Sequence, residues 1–443
     1  MAEAIDSELP FYLRGIHAPV EHEVEAFDLK IEGSLPPEIN GNFLRNGPNP
    51  LNGDPGHWFL GDGMLHGIAL QGGRALSYRN RFVQTRHLAG EAQWLADPAN
   101  PDFTAGVANT HVIEHAGKIL ALVENGFPWE VDRDLNTVGY HDFGGKLKGA
   151  MTAHPKICPK TGEMHFFGYH FAPPFCTYHR VSAEGVLLDS IPIEIPRPVM
   201  MHDFAITEEH IIFMDLPIVF DAERAMSGRM PYQFQPEAGA RLGVLRRDDL
   251  QGQVEWFEIG PCYVFHPMNA WTEGQTISLD VARYASLWSK DAGHFDEAQL
   301  HRFEIHLDEG RVSERPLDDL SIEFPRIKED LNGSQNRYGY AAYTEEGDGI
   351  TGGGLVRYDL KSGKRELFDG KGQYVPSEAV FVPAADDPSE EAGWLLSYVY
   401  DKAREKSDLA VFDATSLAQG PIASVELPQR VPMGFHGSWI PAA

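Results

Sequence analysis

Short apolar runs, each cut off by Gly, Pro, Asn or Asp, recur along the chain from about residue 40 to the C-terminus. Examples are HVIEHAGKILALVENG from His111, MHFFGYHF from Met164, HIIFMDLP from His210, QTISLDVARY from Gln275 and GWLLSYVYDKAREKSDLAVFDA from Gly393. Helical periodicity is scarce. Several runs have one form, an apolar strand, a polar turn and a second apolar strand. GGLVRYDLKSGKRELF, from Gly353, reads as a hairpin turning at KSGK. Hairpins repeated without a long linker predict a single all-β domain over residues 1–443. A β-propeller suits them, because small antiparallel sheets arranged in a ring leave few free edges. Seven blades of about 60 residues each would consume the chain. Two stretches interrupt the rhythm and are expected as insertions that cap one face with loops and helix, 86–106 and 218–242. A third, ADDPSEEA at 385–392, reads as a solvated loop.

Composition narrows the picture. Hydrophobic residues make up 42% of the chain, enough for a large core. The net charge of −28 repels nucleic acid and anionic lipid, so no nucleic-acid partner is expected. Three cysteines, Cys158, Cys176 and Cys262, form no close pair and suggest no disulfide framework. The opening MAEAIDSELP is acidic where a secretion signal would be basic and then apolar, and a cytoplasmic location is expected. The segment holding Ala225, Met226, Met230, Tyr232 and Phe234 is a candidate rim for peripheral membrane contact.

Among nineteen histidines, four stand out by context. They are His154 in MTAHP, His202 in MMHDF, His266 in FHPMNAW and His436 in GFHGSW. Each has apolar or small neighbours and lies near the end of a β-type run. Their separations place them on different blades, whose strand ends can converge on one axis. Neutral imidazole binds borderline metals such as Fe(II), Zn(II) and Cu(II). Four of them in an octahedral iron site leave two positions open, whereas four around tetrahedral zinc close it. The residues alone leave both open. Imidazoles that bind metal usually donate their second N–H to a carboxylate. Three acids lie inside apolar strands, where an unpaired carboxylate would be costly: Glu124 in LALVENG, Glu323 in SIEFP and Glu378 in VPSEAVFVP.

With FLRNGPNP (43–50), HWFLGDGMLHG (57–67), PSEAVFVP (376–383) and GFHGSW (434–439) in this order, the chain resembles the carotenoid cleavage oxygenases from about residue 20 onward. The resemblance implies a seven-bladed propeller with Fe(II) held by His154, His202, His266 and His436. It further implies that Glu124, Glu323 and Glu378 hold three of those imidazoles, and that an apolar tunnel leads to the metal. Phe59, Phe265 and Phe435 match its aromatic positions near the iron, and Val123 continues the apolar surface that they and Met200 offer to the substrate. Relatives often carry Asp where Leu60 stands. Val123 departs from the pattern too: many carotenoid-cleaving relatives have Thr there, and stilbene-cleaving ones tend to have Lys. The implied activity is cleavage of a C=C bond of a lipophilic alkene with O2, giving two carbonyl products. A carotenoid or apocarotenoid substrate is expected. The alternative is a stilbenoid or phenylpropenoid of the vinylphenol type, with His87 or Tyr263 as the phenol's partner.

Overall fold

A computed structural model of the chain describes residues 9–94, 96–97, 100–227, 229–288, 295–344 and 352–442. It divides into two compact units. The first comprises 1–142, 370–388 and 392–443, and the second 143–369 and 389–391. Every strand pairing is antiparallel among the described residues. Hairpins between chain neighbours make most of the pairs, as expected where the connections are too short for a crossover. The KSGK hairpin is present: Gly354–Asp359 pairs with Lys364–Asp369, and Asp359 faces Lys364 across the turn.

The first unit holds three sheets. One runs Glu25–Phe27, Arg74–Phe82, Gly63–Gln71, Gly41–Pro48 and Gly437–Pro441, so one of the earliest strands bonds the last. A second joins Ile31–Gly33 to the C-terminal hairpins through Pro421–Glu426. The third is the meander His111–His115, Lys118–Leu122, Trp129–Val131 and Thr137–Tyr140. Successive strand residues point to opposite faces, and here both faces are buried. Phe43 packs with Leu396, Leu409 and Val411, whereas its neighbour Leu44 packs with Val112, Ala121 and Trp129. A sheet sandwiched between two others needs apolar residues on both faces. This explains why the strands read as continuous apolar runs and not as alternation.

The second unit repeats this layering. Met164–Tyr169 and Cys176–Val181 pack through Phe167, Cys176 and Tyr178 onto Phe204, Phe213 and Leu245 of the sheet that contains His210–Asp215 and Ala240–Arg246. A seven-stranded path follows from Tyr263–Glu273 to Lys364–Asp369. Its long strand Arg311–Arg326 shifts register and serves one set of neighbours with its first half and another with its second.

Short elements occupy the two stretches expected as insertions. Between Ile218–Phe220 and its partner Tyr232–Phe234 sits the helix Ala222–Met226. Asp221 caps that helix, its carboxylate accepting the N–H groups of Glu223 and Arg224. Strand Ala240–Arg246, at the end of the second stretch, pairs Arg241 with Asp215 and Leu242 with Met214. In 86–106, Arg86 ties Asp102 and Thr104 beside the short helix Phe103–Ala105. Residues 95, 98–99 and 228 of these stretches lie outside the described residues. The loop 385–392 is not merely solvated: Glu390 accepts the backbone N–H groups of Arg337 and Tyr338, and Glu391 pairs with Arg357. Among the described residues no helix is long and apolar enough to cross a membrane.

Candidate metal centre

In the second unit three of the marked histidines meet. His154 follows Thr152, whose hydroxyl donates to the His202 carbonyl at 3.1 Å and accepts the His154 N–H at 3.2 Å, tying two loops together. The ring centroids of His154 and His202 are 4.4 Å apart, and each lies 5.0 Å from His266. The Nε2 atoms of His202 and His266 approach to 3.2 Å.

His266 lies within strand Tyr263–Glu273, at a register shift between Val264 and Pro267. Pro267 has no N–H for the ladder, so the strand bulges there and re-aims its side chains. The same device recurs in Arg311–Arg326, where a shift falls between Glu323 and Arg326 around Pro325. Phe324 within it takes a left-handed φ of 54°, a strained conformation for a bulky residue. Its ring stacks on His266 at 5.4 Å. The Glu323 carboxylate accepts from His266 Nδ1 at 2.5 Å, from the Phe324 N–H at 2.7 Å and from the Tyr284 hydroxyl at 2.8 Å.

The first unit supplies a parallel arrangement. Glu378, buried in the irregular stretch between Tyr374–Pro376 and Val380–Pro383, takes His436 Nδ1 at 2.9 Å on one oxygen and the Gly437 N–H at 2.8 Å on the other. The backbone of His436 is pinned on both sides: its N–H donates to Thr110 at 3.1 Å, and its carbonyl accepts from Asn46 at 3.0 Å. A carboxylate can only accept, so His266 and His436 carry their protons on Nδ1. In that neutral tautomer each can offer Nε2 to a metal. Together His154, His202, His266 and His436 form a buried group whose ligand atoms, one from each, all lie within 4.8 Å of one another. Such a group can bind a metal.

The other marked residues divide. Phe265 is buried with its ring 4.9 Å from His202. Phe59 and Phe435 are in edge contact at 5.7 Å, and Trp58 lies 4.6 Å from Phe435. Val123 and Met200 are buried. The Met200 carbonyl accepts from the Tyr263 hydroxyl at 3.0 Å. Glu124 is half-buried at the turn after Lys118–Leu122. His87 is exposed, 3.9 Å from Asp62, and Leu60 is exposed too.

Three contributors escaped sequence reasoning. Tyr284 and Thr152 gave no signal beyond their residue types. Asp203 was visible as an acid beside His202 in the apolar MMHDF. It is buried, paired with Lys156 at 2.8 Å, and 3.9 Å from His154 Nδ1. Burial holds its carboxyl above the usual range, against the pull of Lys156.

A nearly all-β fold with a buried four-imidazole group that could hold a metal, two of its members braced by carboxylates, sets the class of protein, and comparison with known proteins narrows it. The family model described as retinal pigment epithelial membrane protein matches residues 17–441. A carotenoid cleavage oxygenase of Mycobacterium tuberculosis is 36% identical, the match covering 99% of each chain. A carotenoid 9,10(9',10')-cleavage dioxygenase of Arabidopsis thaliana is also 36% identical, over 98% of this chain and 91% of the relative. Among solved structures, lignostilbene dioxygenase of Pseudomonas brassicacearum superposes with a TM-score of 0.89 at 30% identity, covering 98% of this chain and 99% of that one. A cobalt-substituted apocarotenoid oxygenase of Synechocystis does so with a TM-score of 0.86 at 26% identity, covering 96% and 97%. The chain belongs to the carotenoid cleavage oxygenase family. It is an oxygenase of the kind that cleaves alkenes, as its sequence suggested.

Proposed function

We propose that His154, His202, His266 and His436 hold Fe(II), and that the protein uses O2 to cleave one C=C bond of a carotenoid or apocarotenoid. The observation that carries the reading is the buried four-imidazole group, two of whose members have their Nδ1 protons taken by buried carboxylates. The donor set fits the metal: four neutral nitrogens suit a borderline cation, and Glu323 and Glu378 balance its charge from outside. Bound there, Fe(II) would supply the one-electron chemistry that O2 activation needs.

The chain's own residues do the rest. Both oxygen atoms of O2 end in the two carbonyl products, so the cleavage balances without a proton, and no acid or base is required of the protein. Glu323 and Glu378 fix the imidazoles' orientation and tautomer. Glu124 is assigned the same task for a third imidazole. Phe59, Val123, Met200, Phe265 and Phe435 form apolar walls that hold a polyene and keep water out. Residues 86–106 and 218–242 are assigned the cap over the site. Burying apolar substrate surface contributes about 25 cal/mol per Å².

One observation favours a second reading, cleavage of a stilbenoid or phenylpropenoid: the likeness to a lignostilbene dioxygenase. A phenol in an apolar site needs a partner, since an unpaired buried hydroxyl costs about 1–3 kcal/mol. Val123 offers none, His87 is on the surface, and the Tyr263 proton is already given to the Met200 carbonyl. The polyene reading therefore stands first. The test is competitive turnover by iron-loaded protein of an apocarotenal and a 4-hydroxystilbene at equal concentration, with products identified by mass. The apocarotenal should show the higher kcat/KM, and His202→Ala should lose both iron and turnover. A preference for the stilbene overturns the substrate assignment. Stoichiometric iron with full turnover in His202→Ala overturns the metal site.

A further inference from the structure

Tyr284 closes the strand Thr276–Tyr284 and is fully buried. A buried tyrosine hydroxyl needs a partner, and this one has chosen the carboxylate that holds a metal-ligand candidate. Its O–H donates to Glu323 Oε1 at 2.8 Å, while Oε2 of the same carboxylate takes His266 Nδ1 at 2.5 Å and the Phe324 N–H at 2.7 Å. Burial, and then the charge of Glu323, hold the phenol pKa well above its ordinary value, so the proton stays on the tyrosine oxygen and the bond keeps its direction. The ring adds a second contact. It meets Phe265 edge-on at 5.6 Å, and Phe265 in turn lies 4.9 Å from His202.

On these grounds, and resting on the four-histidine metal reading above, we propose that Tyr284 is a positioning residue of the metal centre, acting through Glu323 on His266. The mechanism has two parts. Geometrically, the hydroxyl fixes the second oxygen of Glu323, so the carboxylate plane cannot turn about its contact with the Phe324 N–H. The imidazole that follows the carboxylate is thereby held in one orientation. Electronically, a phenol proton draws charge from the carboxylate, which then draws less on the His266 proton and leaves Nε2 a slightly weaker donor; this opposes the geometric gain in metal affinity and only partly offsets it. Outer partners of metal-bound imidazoles change affinity and reactivity in this way. Tyr284 touches no reacting atom. The effect of its hydroxyl passes through Glu323, and this makes the proposal testable.

Tyr284→Phe keeps the ring packed on Phe265 and removes only the O–H. Metal-free wild type, Tyr284→Phe, Glu323→Gln and the double variant would each be titrated with Co(II), following the visible absorption of the bound ion, with circular dichroism to confirm folding. Tyr284→Phe is expected to weaken Co(II) binding by up to about 10-fold, the low end for outer partners of ligands, and to shift the absorption bands. In the Glu323→Gln background the same change should add almost nothing, because coupled residues are non-additive. A folded Tyr284→Phe protein with wild-type affinity and spectrum overturns the proposal, as does a loss that adds in full to that of Glu323→Gln. Wild type that takes up no Co(II) overturns the four-histidine reading itself, and the proposal with it.

Discussion

Replacing Glu378 by Gln tests how much of the metal centre depends on a carboxylate and not merely on a polar side chain of that shape. Glu378 satisfies two buried donors with its two oxygens, His436 Nδ1–H at 2.9 Å and Gly437 N–H at 2.8 Å. Glutamine has one acceptor oxygen, and its NH2 group must face the other donor. If the amide oxygen turns to His436, the Gly437 N–H meets a second donor. If it turns to Gly437, the imidazole proton does, and His436 is driven toward the tautomer that puts its proton on Nε2, the nitrogen meant for the metal. Leaving one buried donor unpaired costs about 1–3 kcal/mol. At about 1.4 kcal/mol per tenfold, that is about 5-fold to 150-fold in affinity where the penalty falls on the ligand. Outer partners of metal ligands are typically worth about 10–100-fold, the same range by an independent route. Glu378→Gln should therefore bind Fe(II) or Co(II) about 10–100-fold more weakly, with its β-sheet spectrum intact. The assay is metal titration against a chelator of known affinity, with urea denaturation of the metal-free protein alongside. Metal affinity within twofold of wild type would refute the argument. An equal loss of stability in metal-free protein would instead move the penalty to Gly437.

Two further outcomes follow from other parts of the molecule. His165 and His179 are buried and neutral, their pKa values pushed down to about 3 by burial and the neighbouring Arg247 and Arg180, and to about 4 by burial. Their stabilising contribution is complete above the unfolded value of about 6.5 and is lost as pH falls toward the folded values, by about 2 kcal/mol each between pH 7 and 5. A urea midpoint that does not move over that interval would contradict this. Met226 is 82% exposed at the end of the helix Ala222–Met226, whereas Tyr232 packs on Phe220 and Tyr169. Peripheral contact with neutral phosphatidylcholine vesicles should then depend on Met226 and fall about tenfold or more in Met226→Glu. Absence of co-sedimentation by the parent protein would remove the idea.

How much of this was legible in the sequence depended on whether the physical cause was local. Strand existence was local: apolar runs between Gly, Pro, Asn and Asp give hairpins such as Gly354–Asp359 with Lys364–Asp369. The strand that begins at Ala240 was not. Whether Arg241 and Leu242 form loop or strand is settled by pairing with Asp215 and Met214, and no property of the two residues announces it. Likewise Glu390 and Glu391 read as solvated acids because their partners, the Arg337 and Tyr338 amides and Arg357, lie far off in sequence.

The site divides along the same line, and the structure shows two places in it where strand logic is violated. A histidine and a glutamate each stand near a proline in otherwise continuous strands, FHP and EFP, and both positions are β-bulges. A proline inside a central strand removes a ladder donor, and a chain that keeps one there gains something from the distortion. Here the gain is aim: the bulge at Glu323 turns its carboxylate onto His266 and leaves Phe324 at positive φ with its ring on the same imidazole. Buried acids in apolar runs were legible for a related reason, since each needs a partner to offset its desolvation. Tyr284 violates nothing. A tyrosine at the end of an apolar strand is ordinary, and only the 2.8 Å contact to Glu323 sets it apart. Sequence thus exposes the parts of a metal centre that cost stability locally. The residues that steady those parts at no local cost become visible only in three dimensions.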